Sequence, residues 1–131
     1  MTPAERDELI RSALDAQTRA YCPFSKFPVG AALLAASGRI YQGVNVENIS
    51  FGLTICAERV AVGAAIATGD REFTAIAVVS RGGVSPCGAC RQVLAEFNPD
   101  LPIIMVDSLK PGEGHHATLD RLLPGRFESL K

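Results

Sequence analysis

The stretch SPCGACRQVL, residues 85–94, places two of the chain's four cysteines three positions apart. It lies between two apolar runs, FTAIAVVS at 73–80 and PIIMVD at 102–107, that are typical of buried strands. The segment between them has helical spacing and should end before Pro99. One face of that helix would carry Cys90, Val93, Leu94 and Phe97. A strand, a helix and a second strand in this order belong to an alternating pattern, which is typical of a partly parallel sheet.

The N-terminal half adds a helix and a hairpin to this unit. Thr2 is suited to be an N-cap, Pro3 the first helical residue and Glu5 the partner in a capping box. We expect this helix to run to about Tyr21, because Pro23 disfavours helical geometry in the residue before it. The runs VGAALLAA and IYQGVNVEN then flank SGR, which predicts two strands joined by a tight turn.

Two further helices complete the predicted pattern. An alanine-rich helix should open at Cys56 and stop at Gly69. After the last apolar strand, SLKPGEGHH (108–116) is predicted to be a loop and ATLDRLLPG (117–125) a short helix. Strands that alternate with helices indicate an α/β protein whose sheet is partly parallel and covered on both faces. The length of 131 residues fits a single domain, residues 1–131.

The composition and charge of the chain argue against nucleic-acid binding and membrane binding. Hydrophobic residues make up 47% of the chain, charged residues 21%, and the net charge is -1, so no basic surface for nucleic acid or an anionic membrane is expected. The N-terminus MTPAERDELI is too polar for a signal peptide, and no apolar run reaches the roughly 20 residues of a membrane span. We therefore expect a soluble, cytoplasmic protein, in which cysteines serve as metal ligands, nucleophiles or buried thiols rather than disulfides.

Three cysteines at helix starts predict a catalytic metal site. Cys87 and Cys90 would face the same way in the first turn of a helix and could bind one ion. Cys56, at the start of another helix, would be the third ligand. Three protein ligands leave the fourth tetrahedral position of zinc for water, which is typical of a catalytic site. Glu58 lies two residues after Cys56, where it can face that water without binding the metal.

Three thiolates leave the zinc site with a net negative charge, which the protein must offset. The N-terminal ends of two helices contribute, and Arg59 or Arg91 could donate hydrogen bonds to sulfur. We expect this role for Arg59, because it lies closest in sequence to Cys56 and Glu58.

Simpler interpretations compete with the catalytic site. Cys87 and Cys90 alone could form a redox pair, but that leaves Cys56 and Glu58 unexplained. Cys22 could close the site as a fourth, structural ligand, although its position before a proline favours a buried thiol. The histidines in the glycine-rich segment, His115 and His116, are expected to be solvated surface residues.

The motifs CAER and PCGACRQVL, together with YCPFSKFPVGAALL, GVNVEN and LLPGRF, resemble the zinc-dependent cytidine deaminases across nearly the whole chain. The resemblance is to the small homotetrameric type with three cysteine ligands. It implies a three-layer α/β/α fold with a mixed, five-stranded central sheet, one Zn²⁺ per subunit, and a nucleoside substrate. It also implies deamination of cytidine and 2'-deoxycytidine to the uridine products and ammonia, in pyrimidine salvage.

The resemblance assigns roles position by position. Cys56, Cys87 and Cys90 match the zinc ligands, and Glu58 matches the residue that transfers protons. Asn45 and Glu47 match a pair that binds the ribose hydroxyl, and we expect this pair to be buried and to reject a base without its sugar. The remaining substrate contacts are Phe27 beside the pyrimidine, the backbone at Ala57, and Phe127, which in such tetramers reaches a neighbouring subunit's site. Phe24 and Phe51 stand where tyrosine is frequent in the family, which puts any hydrogen bond from those positions in doubt.

Two alternatives remain at this point. One is a deaminase for a modified cytidine such as blasticidin S, whose enzymes share CAE and PCxxCRQV. The other, from a different class, is a catalytically silent zinc-stabilised binding module. Turnover that depends on Glu58 would separate an enzyme from such a module.

Overall fold

This computed structural model describes residues 1–127, in which two pairs of consecutive strands and one single strand are separated by helices. Four α-helices and five strands are formed, with one 3-10 helix at Phe51–Leu53. In chain order the elements are α1 (Pro3–Gln17), β1 (Gly30–Ala35), β2 (Ile40–Val44), α2 (Ala57–Thr68), β3 (Phe73–Ser80), α3 (Gly88–Phe97), β4 (Pro102–Asp107), β5 (His115–Thr118) and α4 (Leu119–Leu122). Within residues 1–127, no helix combines the length and apolarity that crossing a bilayer requires.

The five strands form one mixed sheet in the order β2-β1-β3-β4-β5. β3 and β4 run parallel, with Ile76 beside Ile103 and Ser80 beside Asp107. The other three pairs are antiparallel. The mixed five-stranded sheet is therefore confirmed, and the parallel pair is the one joined by α3.

Each face of the sheet packs against helices. Side chains alternate along the strands, so that Leu33 and Ile76 belong to one core while Ala32 and Ala77 belong to the other. α2, α3 and α4 cover the first face, and α1 covers the second through Leu9, Ile10 and Ala13. These two cores give the predicted three-layer α/β/α arrangement.

The start of α1 is as predicted, but its end is not. Thr2 accepts a hydrogen bond from the Glu5 amide, and the Glu5 carboxylate accepts one from the Thr2 amide. The helix ends at Gln17 rather than near Tyr21. The reason is a strand-like pairing downstream: the Tyr21 amide donates to Asn45 O at 3.0 Å, and the Glu47 amide donates to Tyr21 O at 2.9 Å. Tyr21 therefore pairs as an extended residue instead of continuing the helix.

The prediction of a loop through His116 was wrong. His115 to Thr118 form β5, which pairs with β4 from Met105 to Pro102. An edge strand of four residues, two of them exposed histidines, carries too little apolar alternation to be recognised. The helix that follows spans only Leu119–Leu122. The histidines are nevertheless exposed, as expected, and His116 Nε2 accepts a hydrogen bond from Arg6 Nε at 2.9 Å.

Two strand glycines let helices approach the sheet closely. A Cβ on Gly30 would lie 2.1 Å from Ala13 O in α1, and one on Gly43 would lie 2.1 Å from Ala57 O in α2. Gly43 thus allows the first turn of α2, which carries Glu58, to rest directly on β2.

Candidate active site

Two helix N-termini bring the three predicted metal ligands together. Cys56 is the N-cap residue of α2, Cys87 is the N-cap residue of α3, and Cys90 lies in the first turn of α3. Neither N-cap thiol makes a capping hydrogen bond. Their sulfur atoms are therefore directed to one another, beside the positive ends of both helix dipoles.

The sulfur separations suit a tetrahedral metal. Cys56 Sγ lies 3.9 Å from Cys87 Sγ, and Cys87 Sγ lies 3.4 Å from Cys90 Sγ. All three atoms lie within 4.8 Å of one another. Zn–S bonds of about 2.3 Å in a tetrahedral site place sulfurs about 3.8 Å apart. Cys22 is half-buried and lies outside this cluster, so it does not act as the fourth ligand in this conformation.

The pKa values of the Cys56 and Cys90 thiols are shifted in opposite directions. Hydrogen bonding from Cys90, with further help from Arg59, lowers the pKa of Cys56 to about 5. The pKa of Cys90 is raised, because its thiol is the donor to Cys56 and is also buried beside Glu58. Even without a metal, the cluster thus favours a thiolate, the form that binds zinc.

Arg59 and Arg91 have different partners. Arg59 Nη2 lies 3.6 Å from Cys56 Sγ. Arg91 binds no sulfur; it donates to Pro86 O at 2.8 Å, to Leu122 O at 2.6 Å and to Ser85 Oγ at 3.0 Å. Of the two candidates for balancing the thiolates, only Arg59 has the geometry for it.

Glu58 lies in the first turn of α2 and is 4% exposed. Burial raises the pKa of its carboxyl group, and the neighbouring Cys56 thiolate adds to this effect. A raised pKa makes a carboxylate a stronger base, which suits a group that accepts a proton from water and passes it on.

A cavity of about 450 Å³ opens beside the cysteine cluster. It contains predicted ligands, the predicted proton-transfer residue and four predicted substrate contacts. These are Cys56, Cys87, Glu58, Phe27, Asn45, Glu47 and Ala57. Ser25, which the sequence analysis did not single out, also lines it; its place next to the aromatic residues in CPFSKF was the only available signal.

The predicted ribose-binding pair is only partly buried. Asn45 is 8% exposed, as expected for a buried residue, whereas Glu47 is only half-buried, so the expected burial is wrong for Glu47. Asn45 Oδ1 accepts from the Val29 amide and Asn45 Nδ2 donates to Phe27 O, both at 2.9 Å. The Asn45 side chain is therefore fixed by the backbone on either side of Pro28. The second hydrogen of its amide group remains available to a ligand.

Phe127 lies outside this cavity. Its side chain is 66% exposed and borders a separate depression formed with Ala95, Glu96 and Pro99. Gln92 Nε2 donates to its carbonyl oxygen at 3.1 Å. Within one chain Phe127 thus has no access to the site, and its contact with a neighbouring subunit's site stays a prediction.

Phe24 and Phe51 contact each other in a second pocket, which adjoins the cavity because both are lined by Ser25, Glu47 and Thr54. Their ring centroids are 5.7 Å apart in an edge-to-face arrangement, and both rings are partly exposed. Tyrosines at these two positions would add hydroxyl groups. Here the two phenylalanines make an apolar contact instead.

Comparison with known proteins identifies the family. The profile described as "Cytidine and deoxycytidylate deaminase zinc-binding region" matches residues 3–105. A curated cytidine deaminase from Sporosarcina psychrophila is 51% identical over 124 residues, which cover 92% of this chain and 90% of the relative. The crystal structure of a cytidine deaminase from Burkholderia pseudomallei superposes with a TM-score of 0.88 at 43% identity, covering 97% of this chain and 100% of that one.

A blasticidin-S deaminase from Bacillus cereus is more distant, at 30% identity over 92% of this chain. The fold, the cysteine cluster and these similarities agree. The chain belongs to the zinc-binding family of cytidine and deoxycytidylate deaminases.

Proposed function

We propose that this chain, as one domain of residues 1–131, hydrolytically deaminates cytidine and 2'-deoxycytidine to the uridine products and ammonia. The observation that carries the proposal is the placement of Glu58, a buried carboxyl group with a raised pKa, in the same cavity as the cysteine cluster. The high identity to a cytidine deaminase favours an ordinary nucleoside over a modified one.

Cys56, Cys87 and Cys90 would hold the zinc ion of this family. When bound, zinc lowers the pKa of water and so supplies a nucleophile at neutral pH. The three sulfurs, with Arg59 beside Cys56, would hold the metal next to the cavity, where Asn45, Glu47 and Phe27 line the space left for a nucleoside.

Glu58 carries the proton transfers. The reaction adds the oxygen of water to C4 of the pyrimidine and expels the amino group from the same carbon. The Glu58 carboxylate takes a proton from the attacking water and delivers it to ring atom N3. The remaining proton of that water, on the new C4 hydroxyl group, passes through Glu58 to the amino group, which leaves as ammonia while the C4 carbonyl forms. The backbone at Ala57 lies in the cavity, where it can contact the polar edge of the base.

We also propose a homotetramer with shared sites, acting in the cytoplasm in nucleoside salvage. Supporting the assembly is a surface of exposed apolar side chains after β2, where Ile49 is 79%, Phe51 71% and Leu53 66% exposed. A patch of this kind is typical of a surface that packs against another chain. Phe127, exposed and outside its own cavity, is free to extend to a neighbour.

The decisive experiment follows ultraviolet absorbance as zinc-loaded protein meets cytidine and deoxycytidine separately. Wild type should convert both, whereas Glu58→Ala should retain zinc and lose at least ~100-fold in turnover. Glu72→Ala, an exposed acid outside the cavity, is the matched control and should behave as wild type. Zinc-loaded wild type without turnover of either nucleoside would overturn the proposal in favour of a modified cytidine or a silent binding module.

A further inference from the structure

The carboxylate of Glu47 is held by the loop that precedes β1. Its Oε1 accepts the Phe24 amide at 2.9 Å and the Ser25 amide at 3.1 Å. Its Oε2 accepts the hydroxyl of Ser25. A carboxylate has about four acceptor positions. Three are therefore used within the chain, and one position on Oε2 remains.

The direction of the Ser25 hydroxyl group is fixed by a second contact. The Phe27 amide donates to Ser25 Oγ at 3.1 Å, so the hydroxyl oxygen acts as acceptor there. Its single hydrogen is then directed to Glu47 Oε2. The bond from Ser25 is also the largest reason why the pKa of Glu47 is lowered, which keeps the carboxylate ionised.

The loop backbone is shaped to make both contacts. Lys26, between Ser25 and Phe27, has a φ of 58°, in the left-handed region that few non-glycine residues adopt. Its amide donates to Cys22 O at 3.0 Å and closes a tight turn. Within this segment the amides of Phe24 and Ser25 donate to Glu47, and the amide of Phe27 donates to the Ser25 hydroxyl oxygen. A backbone conformation of this kind is retained where the surrounding contacts determine it.

Ser25 and Glu47 both line the cavity, next to Phe27 and Asn45. We propose that Ser25 is a positioning residue, whose hydroxyl group fixes the rotamer of Glu47 so that the remaining acceptor position on Oε2 meets a sugar hydroxyl of the substrate. This rests on the proposed function, in which Glu47 contacts the nucleoside sugar. The sugar contact is thus built from the loop, the Ser25 hydroxyl and Glu47 as a unit.

The test is a comparison of KM and kcat for cytidine in zinc-loaded full-length variants. Ser25→Ala keeps the two amide bonds to Oε1 but removes the bond that orients Oε2, and it should raise KM about 10-fold, the factor expected when a hydrogen bond to a charged group is lost. The value of kcat should change less than about twofold, since Ser25 does not contact the reacting atoms. Ser25→Thr keeps the hydroxyl group and should restore most of the wild-type KM. Ser12→Ala, on α1 and outside the cavity, is the matched control.

A double-mutant cycle identifies Glu47 as the route of the effect. In a Glu47→Gln background, Ser25→Ala should add less than about twofold to KM, because the group that Ser25 positions is already altered. The measured KM does not depend on what fraction of the enzyme is folded, so partial instability of a variant leaves the comparison intact. An unchanged KM in Ser25→Ala, or the same increase in both backgrounds, would overturn the proposal. Absence of turnover by wild type would instead contradict the proposed function.

Discussion

Arg59 Nη2 lies 3.6 Å from Cys56 Sγ, one turn along α2 from the residue whose thiolate it can stabilise. Three thiolates on one divalent ion would carry excess negative charge, and we expect the Arg59 guanidinium, on the helix that Cys56 caps, to offset part of it. Its position follows from helix geometry, since residues three apart lie on the same face.

Arg59→Gln should release zinc roughly 10- to 100-fold more readily than wild type, because a donor to a metal-binding sulfur is lost. The measurement is the rate of zinc transfer to a chromogenic chelator. Arg71→Gln, an exposed arginine just before β3, is the control and should match wild type. Equal rates for Arg59→Gln and wild type would remove this role from Arg59.

Removal of the metal should lower thermal stability. The cluster joins the starts of α2 and α3, and zinc that binds only the folded chain stabilises it by about 4 kcal/mol at a thousandfold excess over Kd. For a domain of this size we expect Tm to fall by at least about 8 °C on chelation and to recover when zinc is added back. As a control, a variant with all three cysteines changed to serine should show no change in Tm on chelation. If the Tm of the wild-type protein does not change on chelation, the metal does not hold these helices together.

Gly43→Ala should disturb the active site from outside it. The added Cβ would lie 2.1 Å from Ala57 O and 2.6 Å from Ala61 N, so the first turn of α2 must move away from β2. Overpacking of this kind costs about 1–3 kcal/mol. We expect lower Tm together with reduced turnover, because Cys56 and Glu58 move with the turn.

Gly63→Ala is the matched control for this change. Gly63 lies in the same helix, and a Cβ there meets no atom within 4 Å. That substitution should raise stability by roughly 0.5–1 kcal/mol, because alanine favours the helix. Thermal melts of both variants check the pair, and a Gly43→Ala protein as stable and active as Gly63→Ala would refute the close-packing argument.

Much of this fold could be predicted from the sequence because its signals are local. Thr2 with Glu5, and Gly69 after α2, fixed helix limits that the structure confirms. Long apolar runs identified β3 and β4. By contrast, the early end of α1 depends on Tyr21 pairing with residues 45–47, and β5 depends on an edge of β4. Both features depend on contacts between distant parts of the chain, which a local sequence pattern cannot predict.

The candidate site divides in the same way. The residue types and spacing of Cys56, Cys87, Cys90 and Glu58 predicted a catalytic metal site. In the structure the three sulfur atoms lie together, and Glu58 lines the cavity beside them. Ser25 escaped notice because a serine in a turn has many ordinary roles. Only its contacts to Glu47 and to the Phe27 amide distinguish it from them.

Arg91 connects the Cys87 loop to the end of α4, and its loss should loosen both. It makes three hydrogen bonds, to Pro86 O, Leu122 O and Ser85 Oγ. Arg91→Met keeps the length of the side chain but leaves these acceptors unpaired, so we expect a loss of about 1–3 kcal/mol in stability. Zinc transfer to a chelator should also accelerate, since Cys87 directly follows Pro86. Arg11→Met, exposed on α1, is the control, and identical denaturation midpoints and zinc release rates in the two variants would contradict the assignment.

If subunits share their active sites, two variants with low activity should regain activity when they form mixed tetramers. Phe127→Ala lacks the aromatic ring that the proposed tetramer lends to a neighbour, and Glu58→Ala lacks proton transfer, so each assembly alone should have low activity. In tetramers refolded from an equal mixture, about one quarter of the sites would combine an intact Glu58 with an intact Phe127 from the adjoining chain. Cytidine turnover should therefore rise well above the sum of the separate samples.

The control for this experiment mixes the same two proteins without unfolding them, so that subunits do not exchange. A protein that carries both substitutions on one chain should gain nothing from refolding with Glu58→Ala, because every chain present then lacks the glutamate. If refolded mixtures of the single variants show only the summed activities, Phe127 serves no neighbouring site. In that case the ring, 66% exposed beside Pro99, belongs to the surface of a self-contained subunit.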